Sequence, residues 1–283
     1  MTRRFRRRSI RRFPPVLFGW YAGLRPLQTY PRYRAALPPD ASLKPAPELP
    51  ASRVLLYDER VPAAGRFITF EGLDGCGKST QMEKLAAALR SVGLPVVVTR
   101  EPGGTEIGEK IRKLLLDTRT AGLSPYAELA LMFASRAQHL REVIVPALEA
   151  GKIVLCDRFT DSTEAYQGGG RKLGAEPVLA LHRILCDDLQ PDLTILMDCN
   201  LTASVNRARR RNQDQQSHSR HANENRFESE NRAFFARVRD AYAEIAAHTS
   251  RVVVVDARGT PQQTHAVILQ IVRRKLQPRW KSA

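Results

Sequence analysis

Residues 67–81 read FITFEGLDGCGKSTQ, and the stretch from Glu71 to Gln81 decides the fold. A short apolar run ends at Glu71, and Gly72, Gly77, Lys78 and Ser79 then fit the spacing G-x-x-x-x-G-K-[ST] ahead of an Ala- and Leu-rich segment. Glycines at 72, 75 and 77 let backbone N–H groups turn toward phosphate oxygens with no Cβ in the way. A helix beginning there adds the positive end of its dipole. Lys78 brings charge to the β- and γ-phosphates, and the Ser79 hydroxyl is placed to ligate Mg2+. The loop as a whole (Gly72, Leu73, Asp74, Gly75, Cys76, Gly77, Lys78, Ser79 and Thr80) is therefore expected to bind a nucleoside triphosphate.

Outward from the loop, β-branched runs recur at PVVVTR (95–100), KIVLCD (152–157), LTILMD (193–198) and VVVVD (252–256). Segments with helical spacing separate them, among them the long SPYAELALMFASRAQHLREVIVPALEAG. Near-continuous apolar strands alternating with helices predict an α/β fold of the P-loop NTPase type. Its doubly wound, parallel, five-stranded sheet would carry helices on both faces. Right-handed crossovers put the site at the carboxyl ends of the strands. Those ends read TREPGG, CDRFTD, MDCN and VDARG, none with the guanine-specifying N-K-x-D of regulatory GTPases. Phosphoryl transfer to a bound acceptor is the reading left.

The acceptor side is marked by TREPGGT (99–105), LMFASRAQ (131–138), DRFTDSTEAYQGGGR (157–171), QPDLTILMD (190–198) and NRFE (225–228). With the loop, these segments resemble the thymidylate kinase family along nearly all of residues 67–278. The resemblance implies transfer of the ATP γ-phosphate to dTMP with Mg2+, on a P-loop kinase core with a mobile lid, commonly as a homodimer. Arg100 and Arg158, each just past a strand, would hold the acceptor's phosphate as bidentate forks. Asp157 would hold the metal's water shell or orient Arg158. Phe133 and Arg136 share a helix face one turn apart, suited to stack on a pyrimidine and donate to a base carbonyl. LMF in a helix more often packs into a core, and the resemblance is what favours Phe133. By the same resemblance Asp74 lies near the acceptor sugar and metal, Tyr166 crowds the 2′ position, Ser162, Thr163 and Gln167 line the pocket, and Arg112 is a further acceptor-site arginine. Glu101 and Pro102 are expected to be structural, with a cis peptide between them.

Loop positions 73–76 are Leu, Asp, Gly and Cys, so the loop carries no arginine. In the family's bacterial arrangement the lid then supplies it, from Arg207, Arg209, Arg210 or Arg211. Arg211 is the first choice, Arg209 the second and Arg226 the third. The lid, about 207–228, contains the polar insertion NQDQQSHSRHANE, longer than the usual bacterial form.

The charge balance sets the first 65 residues apart from the body at 66–278 and a short tail at 279–283. Residues 1–66 hold 14 Lys/Arg and 4 Asp/Glu, so most of the chain's net charge of +16 sits there. That arm has dispersed prolines and no sustained period, which predicts disorder. A dispensable tail, a mis-assigned upstream start, an organellar targeting segment, a secretory signal and a nucleic-acid tether all remain open for it. No run approaches the roughly 18 apolar residues of a membrane span. Four cysteines without metal-ligand spacing fit a reduced, cytoplasmic protein rather than a disulfide framework or zinc site.

Overall fold

The computed structural model describes residues 65–276 apart from 121, 201–203, 205–206, 208–225 and 228. The basic arm, Arg209, Arg210, Arg211 and the tail lie outside the described residues. The five β-branched runs form β1 (Arg66–Glu71), β2 (Val96–Arg100), β3 (Ile153–Asp157), β4 (Leu193–Asp198) and β5 (Val252–Asp256). They pair in parallel in the order β2-β3-β1-β4-β5, with β1 at the centre.

Alternation along the strands explains the two covered faces. Ile68 and Phe70 of β1, with Ile153 and Leu155 of β3, point to the side held by α1 (Lys78–Ser91) and α8 (Pro261–Leu276), where Met82, Leu85, Leu89, Ile268 and Val272 meet them. Phe67, Val154 and Cys156 point the other way, against Leu129 and Phe133 of α3 (Pro125–His139) and Val178 of α6 (Glu176–Cys186). Burial on both faces is why these runs are almost wholly apolar.

The remaining helices are α2 (Glu106–Leu116), α4 (Val145–Glu149), α5 (Thr160–Thr163) and α7 (Arg232–His248). Between α3 and α4 lies a π-helical turn, Leu140–Ile144. Pro146 follows it and has no N–H to continue the ordinary ladder, so the long helical segment reads through with a widened turn. A second π-helical stretch, Glu164–Gly170, follows α5. Its glycines admit α7: a Cβ on Gly170 would stand 2.6 Å from the Phe234 ring, and one on Gly169 2.7 Å from the Ala241 side chain. That approach builds a third cluster, Leu73, Tyr166, Phe227, Phe234, Val238 and Tyr242, beneath the carboxyl ends of β1 and β4.

Candidate active site

β1 delivers the chain into the loop. Gly72 has φ 124° and lies so close to β4 that a Cβ would meet the Met197 carbonyl at 2.6 Å, so only glycine fits. Gly77, with φ 95°, caps α1 and leaves the first amides of the helix pointing into the loop. Leu73 and Cys76 are buried beneath it, Thr80 lies exposed in the first turn, and Cys76 N closes the turn on the Leu73 carbonyl at 3.4 Å. Lys78, itself buried, folds its ammonium over the loop and donates to the Gly72 and Leu73 carbonyls at 3.2 and 3.0 Å. Ser79 Oγ donates to Asp157 Oδ2 at 3.3 Å, across from the end of β3. Among the described residues, Asp157 Oδ1 is buried with no hydrogen-bond partner. A hydroxyl beside a carboxylate with an unspent oxygen is a donor set suited to a hard divalent cation.

Arg158 stands at the junction of loop and acceptor side. It adopts φ 73°, rare for a residue with a Cβ, and its backbone N–H donates to Phe70 O at 2.9 Å. Nη2 reaches Asp74 Oδ1 at 2.7 Å and the Tyr166 hydroxyl at 3.3 Å, while Nη1 reaches Ser162 Oγ at 2.9 Å and the Tyr242 hydroxyl at 3.3 Å. The guanidinium lies 4.9 Å over the Tyr166 ring. Burial works against its charge, but Asp74 and the other partners hold the Arg158 pKa well above the usual arginine value. Asp74, one residue inside the loop, also receives the Tyr166 hydroxyl at 3.3 Å and lies 4.0 Å from the Lys78 ammonium. The structure thus brings together Lys78, Ser79, Asp74, Asp157, Arg158, Ser162 and Tyr166.

The other acceptor residues divide. Arg136 is buried, with Nε on Glu101 Oε2 at 2.6 Å and Nη2 on Thr163 Oγ1 at 2.9 Å; among the described residues its Nη1 is buried without a partner. Phe133 is fully buried, and Arg136 lies 4.8 Å over its ring. Gln167 is buried and donates to Glu128 at 2.7 Å. Arg100 is more than half exposed and pairs with Glu109 at 3.0 Å, whereas Arg112 donates to the Pro102 carbonyl at 2.9 Å. The Glu101–Pro102 bond is cis, as the sequence suggested, and Glu101 is buried. The nearby group Glu101, His139 and Cys156 keeps its ligand atoms within 4.8 Å of one another. Both His139 nitrogens are nevertheless engaged, by Glu101 and Thr99, and Arg136 already matches the carboxylate.

Of the lid arginines, Arg207 donates Nε to the Gly75 carbonyl of the loop at 2.8 Å. Arg226 is 4 % exposed and donates to the Leu115 carbonyl and to Glu128 Oε2, both at 2.6 Å. Glu128 also receives Arg171, which turns its other nitrogen to Glu230 at 2.5 Å. Two cations and two carboxylates therefore share this cluster, with Arg226 and Glu128 at its buried centre and Arg171 and Glu230 half-buried at its rim. Sequence reasoning missed Glu71, Glu128, Arg171 and Tyr242. Glu71 had a signal, being a charged residue closing an otherwise apolar strand. Tyr242 had none, since it shares a helix stripe with Phe235 and Val238 that reads as plain core.

Comparisons with known proteins agree in direction. Residues 70–268 match the family model described as thymidylate kinase. The thymidylate kinase of Pelobacter propionicus is 47% identical over 214 residues, 75% of this chain and 96% of that one. That of Trichlorobacter lovleyi is 50% identical over 211 residues, 74% and 98% of the two chains. A crystal structure of thymidylate kinase from Ehrlichia chaffeensis superposes with a TM-score of 0.58 at 31% identity, over 74% of this chain and 99% of that chain.

Proposed function

The chain belongs to the thymidylate kinase family, and from that membership and the geometry above we propose how its site works. It is an ATP-dependent kinase that transfers the γ-phosphate of ATP to dTMP and releases dTDP. The observation that carries the residue-level reading is Arg158, which touches loop residue Asp74 on one side and acceptor-side Ser162 and Tyr166 on the other. A cation at that junction suits a phosphate that must be held in line with the donor.

In this reading the loop amides and Lys78 hold the β- and γ-phosphates of ATP. Ser79 and Asp157 would hold Mg2+, which would neutralise charge on the bound phosphates. Arg158, with Arg100 and Arg112, binds the acceptor's phosphate; that group is already anionic near neutral pH, so no strong general base is needed. Arg136 turns its unpartnered Nη1 to a base carbonyl, with Phe133 beneath the base, and Tyr166, Thr163, Gln167 and Asp74 complete the sugar side. Arg211, with Arg209 next, supplies the charge the loop lacks. Arg226 fits that role less well, because its guanidinium is engaged by Glu128 and the end of α2. We further propose that residues 66–278 form the kinase body and that it acts as a cytoplasmic homodimer. Residues 1–65 are then a dispensable extension, or a transit peptide if the protein is organellar.

A coupled assay of the full chain against dTMP, dUMP, dCMP, dGMP and dAMP tests the assignment, with dTMP expected to be the preferred acceptor. Lys78→Ala should keep the fold and lose most turnover; near-normal activity in that variant would sink the reading.

A further inference from the structure

Glu71, the first residue of the stretch that decided the fold, has no part in the chemistry described so far. It is fully buried at the end of β1, one peptide before the loop begins. A carboxylate in that position needs donors, and it finds three. The Phe159 amide donates to Oε1 at 2.7 Å; the Tyr242 hydroxyl donates to Oε2 at 2.9 Å; the Ser162 hydroxyl donates to the same oxygen. The first fixes the backbone immediately after Arg158. The other two are the hydroxyls that receive Arg158 Nη1.

Each hydroxyl has a single proton. The two hydroxyls also lie 2.8 Å from each other, so each proton can go to the other hydroxyl or to Glu71; the carboxylate draws them toward itself and turns the oxygen lone pairs to the guanidinium. Glu71 therefore sets the direction of the hydrogen bonds that reach Arg158, in addition to filling space behind them. The left-handed backbone of Arg158 is the kind of conformation that persists only where its surroundings over-determine it. Here Phe70 O holds its N–H and Glu71 holds the next one.

We propose that Glu71 and Tyr242 are positioning residues for Arg158, holding its guanidinium from behind at a fixed place relative to the donor loop. This rests on the reading that Arg158 binds the acceptor's phosphate. Glu71 suits the task because one peptide links it to Gly72, so donor loop and acceptor clamp share an origin. Tyr242 arrives from α7, 171 residues further along the chain. Neither residue need touch either substrate.

The test compares dTMP with thymidine, which lacks the phosphate. Calorimetric affinities for both, and for ATP, are measured on the full chain as wild type, Tyr242→Phe, Glu71→Gln and Arg158→Ala. Gln keeps the shape of Glu71 but offers an N–H where a hydroxyl expects an acceptor. Loss of one or two hydrogen bonds' worth of order should weaken dTMP about three- to tenfold in Tyr242→Phe and Glu71→Gln. Thymidine and ATP should change less than about twofold, and Tyr242→Phe should add little to Arg158→Ala, because coupled residues are not additive. Equal losses for dTMP and thymidine would make the pair merely structural and overturn the inference. So would unchanged dTMP affinity in Tyr242→Phe alongside a large loss in Arg158→Ala. Unchanged dTMP affinity in Arg158→Ala would instead remove the underlying reading. If Glu71→Gln does not fold, Tyr242→Phe decides alone.

Discussion

Two glutamates stand at the carboxyl ends of strands separated by β3, and both are buried: Glu71 closes β1, and Glu101 follows β2. Their surroundings differ in one respect. Glu101 faces the formal charge of Arg136 at 2.6 Å and a ring nitrogen of His139 at 2.9 Å. Glu71 is held by an amide and two hydroxyls, with Asp161 near enough to oppose its charge and Arg158 one hydrogen bond further away. Burial pushes both carboxyl groups up. At Glu101 the Arg136 charge and the His139 contacts outweigh it and hold the group below the usual range. At Glu71 burial and Asp161 prevail over Arg158 and the hydroxyl, and the group is pushed up to about 7. Burial sets the cost of a charge; whether a cation touches it decides which ionisation state the fold prefers.

The comparison can be broken most sharply at Glu101. Glu101→Ala leaves the Arg136 cation buried with only Thr163 beside it, and breaking a buried pair this way costs about 3–5 kcal/mol. Urea denaturation should register that as a lower midpoint; a loss under about 1 kcal/mol would mean water or rearrangement serves Arg136 equally well.

Proton linkage sharpens it next. Glu71 has its folded pKa above its unfolded one, so its stabilising contribution is full below about 4.5 and is lost as pH rises through about 7. Glu71→Gln should therefore gain on the wild type between pH 5 and 8, by about 2–4 °C in Tm for each kcal/mol released. Glu101 runs the other way. Its folded pKa is lowered, so its contribution is present above about 4.5 and fades as the pH falls. The gap between wild type and Glu101→Ala should narrow in acid. Taken as wild type minus variant, the stability difference should fall with rising pH for Glu71→Gln and rise for Glu101→Ala; the same sign of slope in both would refute the contrast.

The smallest expected effect is at the other contact of Arg136. Thr163→Val removes a neutral acceptor and leaves the ion pair, so the loss should be about 1 kcal/mol. A loss as large as that of Glu101→Ala would show that the hydroxyl, not the carboxylate, holds the arginine.

How much of this could be read from the sequence follows from the range of the interactions. The loop and the five strands were legible because glycine spacing and apolar runs are local signals, and the sheet formed as expected. Arg158 and Asp157 were legible as polar residues closing an apolar strand. Glu71 carried the same signal, hidden by the motif that starts beside it. Arg171 and Glu128 were not legible, and Arg226 was legible only as a lid candidate: in helical or polar stretches a charged residue reads as a solvated face, and only the fold brings the three together. The π-helical turns escaped too, since helical spacing in a sequence does not tell an ordinary turn from a widened one. Phe133 is ambiguous for another reason: a buried aromatic face and a base-stacking face have one pattern in a helix.

The central place of β1 has a consequence for how the chain comes into being. β1 is first out of the ribosome, yet both its neighbours, β3 and β4, come much later; Thr69 meets Thr194 across 125 residues. Contacts of that span make folding slow, and an unpaired strand edge is a site for association with other chains. The segment that begins the donor loop must wait with both edges open until β3 has been synthesised, and with one edge open until β4 has. Nascent protein halted before Leu193 should therefore aggregate or engage chaperones, and the sheet should close only once β4 has emerged.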